Sequence, residues 1–317
     1  MTTTSETAAG QVGEGTGQAR PPRWRRRLLV GVAILLGVVA LWAVLPALWA
    51  TFVPRANRGE ATPADYGMAA EDVRFLTADG VELAAWYVPS QTGAAVVLRH
   101  GSGSTASDVL SQAAVLAEHG YGVLMTDARG HGLSEGRAMD FGWFGDLDTG
   151  AAVTYLGGRQ DVDPGRIGVV GMSMGGEEAV GAAAADPRIS AVVAEGATAR
   201  TDADKAWFAE AYGARGRIQL GIEWLQYTVA DLLTSASKPI ALGDAANEAA
   251  ATPILLITAG ERPDEGHAAE WIQSRAAGNV EIWTVPGAGH IQGLAVAPED
   301  WERVVTGFLG TTLGSRP

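Results

Sequence analysis

The sequence predicts an α/β domain built on a mostly parallel sheet of eight strands. From about residue 70 onward, short apolar segments alternate with helical stretches, as in other chains of this class. The later apolar segments, such as PILLIT, are continuous rather than alternating, which is typical of strands buried on both faces of a parallel sheet. We expect strands at 72–76, 81–88, 94–99, 121–126, 166–171, 189–195, 253–259 and 279–285.

The elements between these strands have their own signals. Ala78-Asp79-Gly80 separates the first two strands and predicts an antiparallel hairpin. A helix over 106–119 stops before Gly120, which suits the left-handed position after a helix. Residues 200–250 are helical in composition and too long for a simple crossover. We interpret this stretch as a small helical cap over the carboxyl edge of the sheet, packed on the domain by most of its aromatic residues.

The amino-terminal part of the chain predicts one transmembrane helix. Residues 1–27 read as a disordered basic tail, and residues 28–54 contain no charged residue. About 20 apolar residues span a bilayer, so we place the membrane helix at 28–53. A cleaved signal peptide is the alternative, but its apolar region is usually shorter, about 7–15 residues.

The positions of the charges predict how the chain lies in the membrane. Five arginines precede the apolar run, from Arg20 to Arg27, and only Arg55 and Arg58 follow it closely. The positive-inside rule therefore places the amino terminus in the cytoplasm and the large domain, 69–317, on the extracytoplasmic side of the cell membrane. Residues 54–68 read as a linker.

Composition excludes several other functions. The net charge of −13 argues against nucleic acid as a general partner. The chain has no cysteine, so it has no disulfide, no thiolate metal ligand and no cysteine nucleophile. No metal-binding motif is present. The HGSGS segment is not a phosphate-binding loop for a nucleotide, because it lacks the lysine of such a loop. We expect no cofactor.

A nucleophile motif stands between a predicted strand and a predicted helix. Gly171-Met172-Ser173-Met174-Gly175 fits the pattern G-x-S-x-G, and an alanine-rich helix follows it. A nucleophile elbow requires this strand–turn–helix setting, because the tight turn raises the serine above the sheet at a helix amino terminus. Ser173 is therefore the predicted nucleophile.

Several motifs in order resemble the α/β-hydrolase superfamily, and within it the Bem46-like and serine-aminopeptidase-like hydrolases. The matching segments span about 72–310 and read TADGVELAAWYVPS, RHGSGST, TDARGHGLSEG, GMSMGGEEA and GAGH. The resemblance implies the α/β-hydrolase fold, with helices on both faces of the sheet. It also implies that the catalytic histidine is His290, on the loop after the last strand. His100, His119, His131 and His267 are then expected elsewhere than in the triad.

The resemblance places the acid of the triad after the seventh strand, where this chain departs from the pattern. The family position holds Pro263, within Gly260-Glu261-Arg262-Pro263-Asp264-Glu265. We predict Asp264, with Glu261 and Glu265 as alternatives. Glu195, at the end of the sixth strand, is a further candidate, because some relatives take their acid from there.

Two backbone amides are expected to form the oxyanion hole. One belongs to Met174, directly after the nucleophile, and by resemblance the other belongs to Ser102. The segment 127–132 resembles a structural turn of the superfamily, with Arg129 tied to a carboxylate. Together these residues predict a membrane-anchored serine hydrolase for an ester or related acyl bond in a small-molecule or lipid-like substrate. A serine peptidase, an acyltransferase and a non-catalytic tethered binding protein are the alternatives.

Overall fold

The computed structural model describes residues 22–52 and 56–314. The predicted tail up to residue 21 and the end of the predicted membrane segment at residue 53 lie outside the described residues. The chain forms two compact units, residues 1–42 and 43–317. The larger unit has the α/β-hydrolase fold, as the sequence predicts.

The sheet has eight strands in the order β1-β2-β4-β3-β5-β6-β7-β8. Strand β2 pairs antiparallel with both β1 and β4, and strands β3 to β8 run parallel to one another. All eight predicted strands are confirmed, and no predicted end is displaced by more than one residue. The strands are β1 Glu71–Leu76, β2 Glu82–Val88, β3 Ala95–Arg99, β4 Gly122–Thr126, β5 Ile167–Met172, β6 Ile189–Glu195, β7 Ile254–Ala259 and β8 Val280–Val285.

Helices cover both faces of this sheet. Helices α3, α4, α6 and α7 bury apolar residues against one face, and α2 and α9 bury theirs against the other. The nine α-helices of the described residues are α1 Arg23–Phe52, α2 Leu110–Glu118, α3 Gly145–Gly157, α4 Met174–Ala185, α5 Phe208–Leu233, α6 Leu242–Glu248, α7 Pro263–Arg275, α8 Gly293–Val296 and α9 Pro298–Leu313. The parallel strands are therefore buried on both faces, which explains their continuous apolar sequences.

Helix α1 is the one helix of the described residues that is long and apolar enough to cross a membrane. It begins at Arg23, five residues before the predicted start of the membrane segment. Arginine is a good helix former, so the basic residues continue the helix instead of ending it. Part of the predicted tail is therefore helical.

The stretch predicted as a linker packs on the hydrolase domain from residue 56 onward. The Arg58 guanidinium contacts the buried Asp127 carboxylate at 2.8 Å and stacks on the Trp86 ring at 4.0 Å. A short 3₁₀ helix, Pro63–Tyr66, buries Pro63. The sequence gives no sign of this, because single buried side chains in a polar stretch leave no periodic pattern.

The predicted cap, 200–250, divides into two parts. Helix α5 is kinked at Gly213, where φ is +55°, and it packs Tyr227 on Trp143. Helix α6 instead buries Leu242 and Ala245 in the main core beside the sheet. Helix α6 therefore belongs to the core, and a cap formed by residues 202–233 over the carboxyl edge of the sheet stays a prediction.

Candidate active site

Ser173 lies in a strained turn between β5 and α4. Its φ and ψ are +55° and −121°, a conformation that non-glycine residues rarely adopt and that concentrates at functional sites. The flanking glycines are required because no side chain fits at their positions. A Cβ on Gly171 would lie 2.1 Å from the Gly175 carbonyl oxygen, and a Cβ on Gly175 would lie 2.6 Å from the His100 carbonyl oxygen. The G-x-S-x-G motif therefore forms a nucleophile elbow.

His290 lies on the loop after β8 and faces the serine. Its Nε2 is 2.8 Å from Ser173 Oγ, and its Nδ1 is 2.7 Å from Glu265 Oε1. Gly196 leaves room for the ring, since a Cβ there would lie 2.8 Å from His290 Cε1. The histidine side chain is 38% exposed, so solvent and substrate have access to it. The structure thus brings together the serine and the histidine that the sequence singles out.

The carboxylate that contacts His290 belongs to Glu265 and not to Asp264, so the predicted acid is wrong. Helix α7 begins at Pro263, and successive helical residues point about 100° apart. This rotation turns Asp264 outward, where it accepts a hydrogen bond from the Tyr212 hydroxyl. It turns Glu265 inward, where the side chain is almost completely buried.

A signal for Glu265 is present in the sequence. The buried residues of α7 are Ala268, Ala269 and Ile272. Glu265 stands three, four and seven residues before them, which is the spacing of one helix face. A carboxylate on the inward face at the start of a helix needs a partner inside the fold, and His290 is that partner.

Two contacts orient the Glu265 carboxylate. Oε1 faces His290, and Oε2 accepts a hydrogen bond from the Ala259 N–H at 2.9 Å. Because Oε1 accepts a hydrogen bond from Nδ1–H, the neutral imidazole keeps Nε2 unprotonated and directed at the Ser173 hydroxyl. The arrangement is that of a general base with an orienting acid.

The other two candidate acids have different contacts. Buried Glu195 accepts hydrogen bonds from the Gly293 N–H at 2.8 Å and from Trp301 Nε1 at 2.9 Å, and burial raises the pKa of its carboxyl. It therefore ties the segment after His290 to α9. Glu261 is exposed, and its backbone N–H donates to the Ala288 carbonyl at 3.0 Å.

The loop that carries Ser102 is held by two histidines. His100 Nδ1 donates to the Gly101 carbonyl at 2.8 Å, and its Nε2 accepts from the Ala128 N–H at 2.9 Å. Burial lowers the pKa of His100 to about 3, so its ring stays neutral. The Gly103 N–H donates to His131 Nε2 at 3.3 Å. Both histidines thus have structural contacts and lie outside the triad, as the sequence analysis expects.

This loop passes close to the nucleophile. A Cβ on Gly101 would lie 3.2 Å from Ser173 Cβ. Met174 is the first residue of α4, so its N–H lies at the helix amino terminus and has no acceptor within the helix. The roles of the Ser102 and Met174 amides as an oxyanion hole stay predictions.

Other residues that the sequence singles out have structural contacts. Arg129 contacts the Asp79 carboxylate at 2.6 Å and the Asp148 carboxylate at 2.8 Å, which confirms the expected tie. His119 lies at the end of α2, 3.0 Å from the Val115 carbonyl. His267 packs against the Trp207 ring at a tilt, with centroids 5.1 Å apart. In the described parts of the chain, no group of three or more His, Asp or Glu side chains is arranged to hold a metal ion.

A buried ion pair that the sequence analysis missed lies beneath the elbow. Arg99, the last residue of β3, donates through Nε to Glu178 on α4 at 2.9 Å and through a second nitrogen to Thr126 at 3.0 Å. Burial raises the pKa of Glu178. The pair fixes the helix that follows the nucleophile against the sheet, because separating it would leave a buried charge unpaired.

Comparison with known proteins identifies the family of this fold. Residues 90–261, more than half of the chain, match the family model described as serine aminopeptidase, S33. The uncharacterized protein YfhR of Salmonella typhi is 32% identical over 165 residues, which cover 50% of this chain and 54% of that protein. The thiohydrolase AneE of Aspergillus aculeatus is 34% identical over 131 residues, 38% of this chain and 40% of that protein. The chain thus matches about half the length of these curated relatives.

Among solved structures, an esterase from Pyrococcus furiosus is similar over most of the hydrolase unit. The TM-score is 0.64 at 27% sequence identity, and the match covers 82% of this chain and 98% of the esterase.

Proposed function

Because this chain belongs to the serine aminopeptidase (S33) family of α/β-hydrolases, we propose that it is a serine hydrolase that cleaves an ester or related acyl bond. The observation that carries the proposal is the continuous contact from Ser173 through His290 to Glu265, at 2.8 Å and 2.7 Å, on a strained elbow. A folded structural protein has no need for that strain.

Acylation begins when His290 Nε2 takes the proton of the Ser173 hydroxyl. The oxygen attacks the acyl carbonyl, and the new oxyanion accepts hydrogen bonds from the Met174 and Ser102 amides. The Glu265 carboxylate stabilises the imidazolium that forms. His290 then gives its proton to the leaving group, the carbon–oxygen bond breaks, and an alcohol departs from an acyl-enzyme.

Deacylation repeats these steps with water. His290 takes a proton from water, the hydroxide attacks the acyl carbonyl, and the second oxyanion lies in the same hole. When this intermediate collapses, the proton returns to Ser173 Oγ and the carboxylic acid leaves. The overall reaction converts an ester and water into an acid and an alcohol.

Esters are the preferred substrate class because they are the least demanding acyl donors. The similarity to the Pyrococcus furiosus esterase supports this choice, and the similarity to a thiohydrolase extends it to thioesters. A peptide bond is the second candidate, because the matching family model is described as a serine aminopeptidase. Rates on a p-nitrophenyl ester and on an aminoacyl anilide separate the two.

We further propose that α1 anchors the enzyme in the membrane. Helix α1 continues directly from an arginine-rich start into an uncharged apolar run, which is longer than the apolar region of a signal peptide. The arginines favour a cytoplasmic amino terminus and an extracytoplasmic hydrolase domain. Carbonate extraction and mass determination of the mature protein separate an anchor from a cleaved signal.

Labelling with a fluorophosphonate probe tests the proposed function. The intact protein is expected to label, and Ser173→Ala and His290→Ala are expected to label weakly or not at all. Ser274→Ala, on the exposed surface of α7, is a matched control that keeps full labelling. A folded intact protein that fails to label would overturn the hydrolase proposal in favour of a tethered binding protein.

A further inference from the structure

The last ten residues of α1, residues 43–52, belong to the same compact unit as the hydrolase domain. We call them the anchor end. One of its faces is buried, since Ala43, Ala47 and Thr51 have no exposed surface. The opposite face, with Leu45 and Trp49, is more than half exposed. Small residues four apart allow close approach of the helix backbone, so the buried face is a packing surface.

The anchor end packs beside the nucleophile. Ala50 contacts the buried pair Met139 and Met174, which we call the methionine pair. Met174 directly follows Ser173, and Met139 Sδ accepts a hydrogen bond from the Ser102 hydroxyl at 2.8 Å. The two residues predicted to supply the oxyanion hole are thus each joined to the methionine pair, Met174 as a member and Ser102 through this bond.

A strained loop fixes Met139 in this place. The next three residues, Asp140, Phe141 and Gly142, have φ values of +48°, +59° and +70°. Two consecutive non-glycine residues with positive φ, in the left-handed region, cost conformational free energy, and such strain concentrates at functional sites. Gly142 fits against Met174, because a Cβ there would lie 2.8 Å from Met174 Cγ.

The same loop connects the anchor end with the cap. The Arg137 guanidinium lies 4.5 Å from the Phe52 ring. Phe141 packs against Tyr227 of α5, with ring centroids 5.2 Å apart. Apolar side chains of the anchor end and of Met139 therefore lie beside Met174, the residue after Ser173, and Phe141 joins this loop to the cap. Methionine is flexible and adapts to apolar chains of different shapes, so this side of the site suits an acyl chain.

The length of α1 sets the level of this contact in a bilayer. The uncharged run begins at Leu28, and the hydrocarbon core takes about 20 residues. Residues from about 48 onward then lie at the headgroup level, where Trp49 is a suitable interfacial residue. Ala50, which contacts the methionine pair, belongs to this part of the helix. Thr51 Oγ1 is buried and has no hydrogen-bond partner among the described residues.

We propose that the anchor end is one wall of the acyl-binding site, and that the substrate is a long-chain acyl ester of a membrane amphiphile taken from the membrane that α1 spans. This inference rests on the proposed hydrolase function. It assigns α1 two tasks, because the helix both attaches the enzyme and contacts the acyl chain of its substrate.

Cysteine cross-linking tests the contact without reference to activity. The chain has no native cysteine, so Ala50→Cys with Met139→Cys introduces the only two thiols. In full-length protein in membranes, a short bifunctional maleimide is expected to join them. Trp49→Cys with Met139→Cys is the matched control, because Trp49 is 61% exposed on the opposite face. Equal cross-linking of both pairs, or of neither, would overturn the contact.

Acyl-chain selectivity tests the substrate class. Ala50→Trp is expected to lower the ratio of kcat/KM for a dodecanoyl ester over an acetyl ester by about tenfold or more, since each buried methylene contributes about fourfold. Leu45→Trp, on the exposed face, is expected to keep the ratio of the intact protein. An unchanged ratio in Ala50→Trp overturns the proposal that the anchor end forms a wall of the acyl-binding site. Absence of fluorophosphonate labelling overturns the hydrolase function and the substrate class together, whereas a labelled enzyme without chain-length selectivity overturns only this inference.

Discussion

Replacing Glu265 by glutamine separates the orienting carboxylate from every other feature of the site. Glutamine has the size of glutamate, but it offers one acceptor and one donor where glutamate offers two acceptors. The native carboxylate accepts from His290 Nδ1 at 2.7 Å and from the Ala259 N–H at 2.9 Å. The amide can serve only one of these donors with its oxygen.

The two amide orientations have different consequences. If the oxygen faces the Ala259 N–H, the NH₂ group faces His290 Nδ1 and forces the tautomer with a proton on Nε2, which cannot accept the Ser173 proton. If the oxygen faces His290, the NH₂ group meets the Ala259 N–H, and this buried donor loses its partner at a cost of about 1–3 kcal/mol. The productive orientation is therefore disfavoured by about 5- to 150-fold.

Loss of the negative charge adds to this effect, because a neutral amide stabilises the imidazolium less than a carboxylate does. We expect kcat to fall by about 10³–10⁴-fold, in line with the loss seen when a serine-protease triad is held in the wrong tautomer. Stopped-flow or steady-state hydrolysis of an activated ester measures this fall in kcat.

Asp264→Asn is the matched control for this measurement. Asp264 is exposed and accepts from the Tyr212 hydroxyl, so the change is expected to alter kcat by less than about threefold. A larger loss in Asp264→Asn than in Glu265→Gln would refute the assignment of the acid. Thermal melting of both variants confirms that each is folded.

Three further changes test other parts of the site. Gly175→Ala places a Cβ 2.6 Å from a backbone carbonyl and is expected to destabilise the fold by about 3 kcal/mol or more, whereas Gly307→Ala, with open space around it, is expected to raise the melting temperature slightly. Gly196 has φ +73°, and the Cβ introduced by Gly196→Ala would lie 2.8 Å from His290 Cε1. The substitution is therefore expected to displace the imidazole ring and lower kcat, and an unchanged kcat would contradict the position of His290. The pKa of His100, near 3 in the folded chain, lies below its unfolded value of about 6.5, so the stability it contributes is present above pH 6.5 and is lost as pH falls toward 3, with a slope of about 1.4 kcal/mol per pH unit. In urea unfolding, the intact protein is expected to lose stability more steeply than His100→Gln as pH falls, and the difference between the two slopes is expected to be about this size.

The strands were predictable because the sheet leaves a strong pattern in the sequence. Strands such as β7, Ile254–Ala259, are buried on both faces and consist of continuous apolar residues. The nucleophile was predictable for a related reason, since the glycines at 171 and 175 are fixed by the approach of the backbone. Elements whose sequence is determined by burial or by a tight turn can thus be predicted without a structure.

The rest depended on single contacts in three dimensions. Asp264 and Glu265 are adjacent on a helix and differ in the direction of their side chains, and both residue types suit the start of a helix. Local sequence therefore does not decide between them. The place of Arg58 depends on Asp127, which is 69 residues away along the chain. Helix α6 belongs to the core and not to the cap, although both are helical in composition. Such pairings follow from the completed fold and not from local spacing.

The contacts of the anchor end and of Arg58 leave the connection between helix and hydrolase a very short reach. Phe52 ends α1, and the chain is already packed on the domain from residue 56, so only three residues stand between them. Four peptide steps extend to about 14 Å at most. If α1 anchors the enzyme as we propose, this short reach predicts that it acts in cis, on esters in the bilayer that holds its own helix and not on those of an apposed membrane.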